Sequence, residues 1–119
     1  MEAAEQAGVG RYVMVSAYKA YDRESWKDSP IKPYMAAKYY ADRMLEASKL
    51  TYTILGPGLL VNDPGTGKIA VGDGIAATSI PREDVARAAV AALSEESTYN
   101  KTIDLMSGEI EVAAALKNI

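Results

Sequence analysis

Hydrophobic positions along this chain fall into short runs separated by turn residues, and their rhythm predicts an alternation of strands and helices. Residues 2–7 carry the pattern of a helix end, with Gly8 and Gly10 as stop signals. Arg11-Tyr12-Val13-Met14-Val15-Ser16-Ala17 is an apolar run bounded by turn residues, the mark of a buried parallel strand. A polar, aromatic loop over 18–32 contains Tyr18, Tyr21 and Trp26 and closes on Ser29-Pro30. It leads into a helix over 33–48, opened by Pro33 at the first helical position, where a missing N–H costs nothing. Ala37, Ala41, Met44, Leu45 and Ser48 make a small apolar stripe on that helix, expected to lie on a sheet. A second strand over 50–55 ends abruptly at Gly56-Pro57-Gly58, a turn that lets backbone approach a ligand closely. Strand, helix and strand with short connections form a right-handed βαβ unit.

The remainder is less regular at first. Asn62-Asp63-Pro64-Gly65-Thr66-Gly67 is rich in turn residues, and the runs 68–71 and 76–80 flank Gly72-Asp73-Gly74, which predicts a small two-stranded arm. Pro81 opens a helix over 82–93 with Glu83 and Asp84 in its first turn, suited to the helix dipole, and Val85, Ala89 and Leu93 as its buried stripe. A third strand over 102–107 and a short last helix through Leu116 complete the pattern. The fold class is therefore α/β, with three mainly parallel strands, flanking helices and the small arm.

Composition narrows the chemistry more than the fold. At 119 residues the chain is expected to be one domain, long enough to bury a core. A net charge of −3 and the lack of a basic cluster give no reason to expect nucleic acid. No apolar run approaches the roughly 20 residues that span a bilayer. The acidic start, without the regions of a signal peptide, makes cytoplasm the expected location. With no cysteine and no histidine, thiolate nucleophiles, Ser-His-Asp triads and the usual zinc sites are excluded, and no metal site is expected. Acid–base work falls to Tyr, Lys, Asp or Glu.

Within that inventory the helix over 33–48 carries Tyr34 and Lys38, four residues apart and so on one face. A positive charge beside a phenol favours the phenolate, and the pairing can do proton chemistry. The same spacing fits an amphipathic helix with two exposed polar residues. Ser16 ends the first strand, where ligands gather in open α/β sheets; a hydroxyl bonded to nearby backbone fits that position equally. Two glycine motifs are decoys. Gly65-Thr66-Gly67-Lys68 lacks the first glycine and the Ser/Thr of a phosphate loop, and Gly72-Asp73-Gly74-Ile75-Ala76-Ala77 is followed by Thr78-Ser79-Ile80-Pro81 instead of a helix.

Taken together, a serine at a strand end, Tyr-x-x-x-Lys opening the next helix and Pro-Gly after the following strand resemble the short-chain dehydrogenase/reductase superfamily. The chain is most similar to its atypical, NmrA-like NAD(P)-binding branch, through Val13-Met14-Val15-Ser16, 34–45, 50–58, Gly67-Lys68-Ile69 and Ile80-Pro81-Arg82-Glu83-Asp84-Val85-Ala86. The resemblance implies that Tyr34 protonates a substrate carbonyl oxygen as hydride arrives, that Lys38 holds the nicotinamide ribose and assists the phenol, and that Ser16 orients the carbonyl. It further implies that the Pro57-Gly58 backbone lines the carboxamide and that 59–80 sets specificity. Gly56 departs from the arginine this branch often carries before Pro-Gly.

Members of the family begin with a strand and a Gly-rich turn that receives the pyrophosphate, and nothing before Arg11 matches either. The resemblance therefore implies the C-terminal half of an incomplete Rossmann-like reductase, with NAD(P) binding weak or absent in this chain alone. The function expected is hydride transfer to a small carbonyl or quinone-like substrate. A non-enzymatic redox sensor and a self-associating inactive remnant are the alternatives. A homodimer through 11–17 is expected, two copies pairing that edge antiparallel into one six-stranded sheet.

Overall fold

The computed structural model describes residues 1–119. In chain order the elements are α1 (Glu2–Gln6), β1 (Arg11–Val15), α2 (Arg23–Trp26), α3 (Lys32–Ala47), β2 (Thr51–Pro57), β3 (Leu59–Val61), β4 (Lys68–Val71), β5 (Ser79–Pro81), α4 (Arg82–Leu93), β6 (Lys101–Ser107), β7 (Ile110–Glu111) and α5 (Val112–Lys117). A five-stranded sheet runs in the order β1-β2-β6-β4-β7. The three strands expected from the sequence, β1, β2 and β6, are its parallel part, with Val15 beside Leu55 and Leu55 beside Ile103. The class is α/β.

The two-stranded arm is built from other residues than the sequence pattern suggests. Lys68–Val71 joins the main sheet as β4, antiparallel to β6, while Ser79–Pro81 pairs in parallel with Leu59–Val61. Ile69 explains the choice: in the main sheet it is fully buried, whereas a local hairpin would leave it half in water. Gly72 (φ 102°) and Gly74 (φ 78°) turn the chain away between them, a conformation that favours glycine.

One sheet face carries the larger core. Leu55, Ile69, Ile103 and Leu105 pack there against α4 and α5. The buried stripe of α4 is Val85, Ala88 and Ala92, and Leu93 is half exposed. The expected stripe at i, i+4 and i+8 drifts about 40° per step on a 3.6-residue helix, so its third member leaves the face. The opposite sheet face meets α3 and α1 through Leu45, Leu50 and Ile54.

α3 buries a different face from the one expected. Its buried residues are Met35, Asp42 and Leu45, whereas Ala37 and Met44 face solvent. Tyr34 and Lys38 thus border the buried stripe instead of lying opposite it.

Two charged residues tie these layers together. Arg11 caps the C-terminal end of α4, donating to Ala92 O (2.6 Å) and Leu93 O (3.1 Å), with Tyr99 stacked 4.3 Å from its guanidinium. Asp84 is fully buried and accepts from the Thr66 and Gly67 amides and from Arg87 Nη1 (3.0, 2.9 and 2.8 Å), which fixes the glycine turn ahead of β4. Gly65-Thr66-Gly67 therefore wraps a carboxylate of its own chain, in keeping with its exclusion as a phosphate loop.

Candidate functional site

Parallel strands end together, and here the C-terminal ends of β1, β2 and β6 open into one cavity of about 530 Å³. Ser16, Tyr34, Pro57 and Gly58 all line it. Four of the five residues singled out in the sequence, separated by up to 42 positions, therefore meet at one place. The fifth, Lys38, lies just outside the lining. Its Nζ sits 5.6 Å from the centre of the Tyr34 ring and 3.5 Å from Val15 O at the end of β1.

Each position has a local cause. The Ser16 amide continues the β1–β2 ladder by donating to Leu55 O (2.7 Å), and the Tyr18 amide reaches Pro57 O (3.0 Å), so the chain leaving β1 stays tied to the end of β2. Tyr34 opens α3 beside Met35, which packs with Ala20 and Trp26 in a small cluster of its own. The Trp26 indole donates to Ala20 O at 2.9 Å, and Tyr34 itself is half exposed. Gly58 has no room for a side chain, because a Cβ there would strike Met106 and Thr78 O. Met106 and Thr78 consequently become cavity walls.

Gly56, the departure from the family pattern, also has a structural reason. A Cβ at this position would lie 2.7 Å from Asp104 Oδ1 and 3.0 Å from Ala17 O. Asp104 is buried in β6 and holds the loop after β1, accepting from Tyr21 OH (2.8 Å) and the Lys19 amide (3.2 Å). Burial pushes the Asp104 carboxyl up from its ordinary range, only partly opposed by those two donors. Burial and the Asp104 acceptor together push the Tyr21 phenol up as well.

The Ser16 hydroxyl is buried at the cavity wall without a hydrogen-bond partner. The reading of Ser16 as a hydroxyl bonded to nearby backbone therefore does not hold: its amide is bonded and its Oγ has no partner. Behind it lies Asp42, four residues beyond Lys38 on α3, with Oδ1 also unpartnered. Burial raises the Asp42 carboxyl, while the neighbouring Ser16 hydroxyl and the Lys38 ammonium oppose the shift. The two side chains are near enough to interact, yet make no bond of ordinary length and angle.

Sequence reasoning passed over Tyr18, Thr78, Arg82 and Met106, which also line the cavity, and the buried Asp42, which does not. The i+8 relation of Asp42 to Tyr34 was the one available signal for it.

These groups suit the nicotinamide end of a dinucleotide. The Gly58 amide is engaged by Leu105 O and Pro57 has no N–H, so this backbone offers carbonyl oxygens, which match the NH₂ of a carboxamide. Pro57 O accepts one bond, from Tyr18, and keeps a second lone pair. The unpartnered Ser16 hydroxyl and the Tyr34 phenol have the donor chemistry a carbonyl oxygen needs.

The family of NAD(P)H-binding proteins matches residues 1–96. A Bacillus subtilis (strain 168) relative described as the uncharacterized sugar epimerase YhfK is 47% identical over 119 residues, covering 100% of this chain and 55% of its own length. The UPF0659 protein YMR090W of Saccharomyces cerevisiae is 43% identical over 115 residues, 91% of this chain and 51% of the relative. Among solved structures, the oxidoreductase ylbE from Lactococcus lactis superposes with a TM-score of 0.93 at 30% identity, covering 99% of this chain and 55% of that one. A short-chain dehydrogenase/reductase from Veillonella parvula in complex with NADP shares the fold, at a TM-score of 0.69 and 23% identity over 92% of this chain and 56% of that one. The chain spans about half the length of the curated relatives it matches.

Proposed function

The chain belongs to the NAD(P)H-binding family, and from that premise we propose that it forms the substrate side of an oxidoreductase that passes hydride to a small carbonyl or quinone-like compound. The observation that carries this reading is the single cavity lined by Ser16, Tyr34, Pro57 and Gly58, with the Ser16 hydroxyl buried there and free of any hydrogen-bond partner.

When bound, the dinucleotide supplies the hydride. The Tyr34 phenol gives its proton to the carbonyl oxygen as that oxygen gains charge, and Ser16 Oγ donates a hydrogen bond to the same atom and fixes its direction. Lys38, beside the Tyr34 ring, would stabilise the phenolate left behind and would hold the nicotinamide ribose. The Pro57 and Gly58 carbonyls would accept from the carboxamide of the bound dinucleotide.

No Gly-rich turn in this chain leads from a strand into a long helix: the loop after β1 has no glycine and ends in the four-residue α2. The pyrophosphate is therefore expected to be held by sequence corresponding to the half of the relatives outside the match. Calorimetry should find NADPH binding by the 119-residue chain weak or absent, and a Kd in the low micromolar range would contradict this. Joined to the unmatched part of the Bacillus subtilis relative, the chain should oxidise NADPH with a quinone acceptor, and Tyr34→Phe should lower kcat by about 10²–10⁴-fold with little change in NADPH affinity. Equal turnover by Tyr34→Phe would remove the tyrosine from the mechanism. Binding without any turnover would make the protein a cofactor sensor.

A further inference from the structure

Nine of the fourteen residues lining the cavity are hydrophobic, with Leu59, Leu60, Ile31, Met35 and Met106 among them. A sugar hydroxyl that falls against those side chains goes unpaired, at a cost of roughly 1–3 kcal/mol for each buried group left unsatisfied. The cavity volume lies within the roughly 300–1,000 Å³ of ordinary ligand sites. A compact apolar body suits it better than a polyol.

One lining residue is charged, and it is Arg82, the first residue of α4. It is exposed, so its side chain stands where the cavity meets solvent. Its Nε donates to Asn62 Oδ1 at 2.9 Å, which holds the guanidinium plane from the side. It makes no salt bridge: the two carboxylates that follow it on the helix, Glu83 and Asp84, are both engaged by Arg87 (3.4 and 2.8 Å). The Nη1 and Nη2 atoms keep their hydrogen-bonding capacity, and a guanidinium fork of this kind matches the two oxygens of a carboxylate.

The geometry points to Arg82 as the anchor for a carboxylate on a substrate whose remaining body is compact and apolar, bound in the cavity that holds Tyr34 and Ser16. This deepens the reading given under Proposed function and rests on it for the chemistry at the other end of the substrate. Arg82 fixes one end of the molecule and Ser16 and Tyr34 receive its carbonyl, so recognition and proton transfer are divided between α4 and α3.

The test needs no dinucleotide. The 119-residue chain is titrated at low salt with 2-naphthoate and with the neutral isostere 2-naphthamide, and amide shifts are followed by NMR. Naphthoate should bind about tenfold more tightly, with shifts at Leu59, Leu60 and Met106, and the preference should shrink as salt is raised. Arg82→Gln should erase the preference while leaving naphthamide affinity unchanged, and Arg82→Lys should keep part of it. Equal affinity for the two probes, a preference that survives Arg82→Gln, or no binding at the cavity would each overturn the assignment. The Tyr34→Phe kinetics judge hydride transfer separately, so the failure of either reading is visible without the other.

Discussion

Two buried aspartates of opposite tendency show how much a single residue depends on its partners. Asp42 has no hydrogen-bond partner of ordinary geometry, and burial raises its carboxyl above the roughly 3.9 of an unfolded aspartate. The folded chain then binds that proton more tightly than the unfolded chain, so Asp42 lowers stability as pH rises from about 4 through its folded value. Asp42→Asn should raise Tm at pH 7 by several degrees and leave it unchanged in acid; a gap independent of pH would refute the assignment. Asp84 runs the other way. Burial alone would raise it, but the Thr66 and Gly67 amides and Arg87 outweigh that and hold it below its ordinary range. Its contribution is present above about pH 4 and is lost as pH falls through the folded value. Asp84→Asn should cost about 3 kcal/mol at neutral pH, measured by urea unfolding, with the deficit fading in acid. Neither fate is legible in sequence, because an aspartate inside a helix reads as solvent-facing until its neighbours are known.

Elements were far more legible than faces. The helix over 82–93 and the strand over 102–107 appear within a residue of their expected limits, since Pro81 and the flanking turn residues mark them locally. Which face of α3 is buried, and that β3 pairs with β5, depend on contacts between distant segments, and no short-range pattern encodes them. The start of α3 depends on one such contact, the cluster of Trp26, Ala20 and Met35, with the Trp26 and Tyr39 rings 6.0 Å apart. Trp26→Ala should remove about 3–5 kcal/mol of local stability. Hydrogen exchange should then quicken at Tyr34 to Lys38 and keep its rate in β2 and β6, whereas uniform acceleration would show that the cluster serves the whole core.

On the scale of the molecule, β1 is a free edge of the five-stranded sheet. The Ser16 amide donates to β2, so by alternation the Val13 and Val15 amides point away from the sheet. Two copies are expected to pair along this edge, five strands from each making a ten-stranded sheet in place of the six first expected. Light scattering at micromolar concentration should give the mass of a dimer. Val13→Pro removes one outward N–H, touches no bond to β2, and should yield a folded monomer; a monomeric parent, or a dimer indifferent to the proline, would exclude this contact. The family was legible because Ser16, Tyr34, Lys38 and Pro57-Gly58 keep a fixed order along the chain. The cavity they share with Arg82 was not, since its walls come from segments as distant as Ser16 and Met106. That distance has a consequence for synthesis. Asp104, which anchors the loop after β1, and Met106, which walls the cavity, both belong to β6, the strand that also completes the parallel part of the sheet. β6 is synthesised after Ser16 and Tyr34, so the nascent chain presents its reactive groups on an open, unwalled surface until that strand is made and docks.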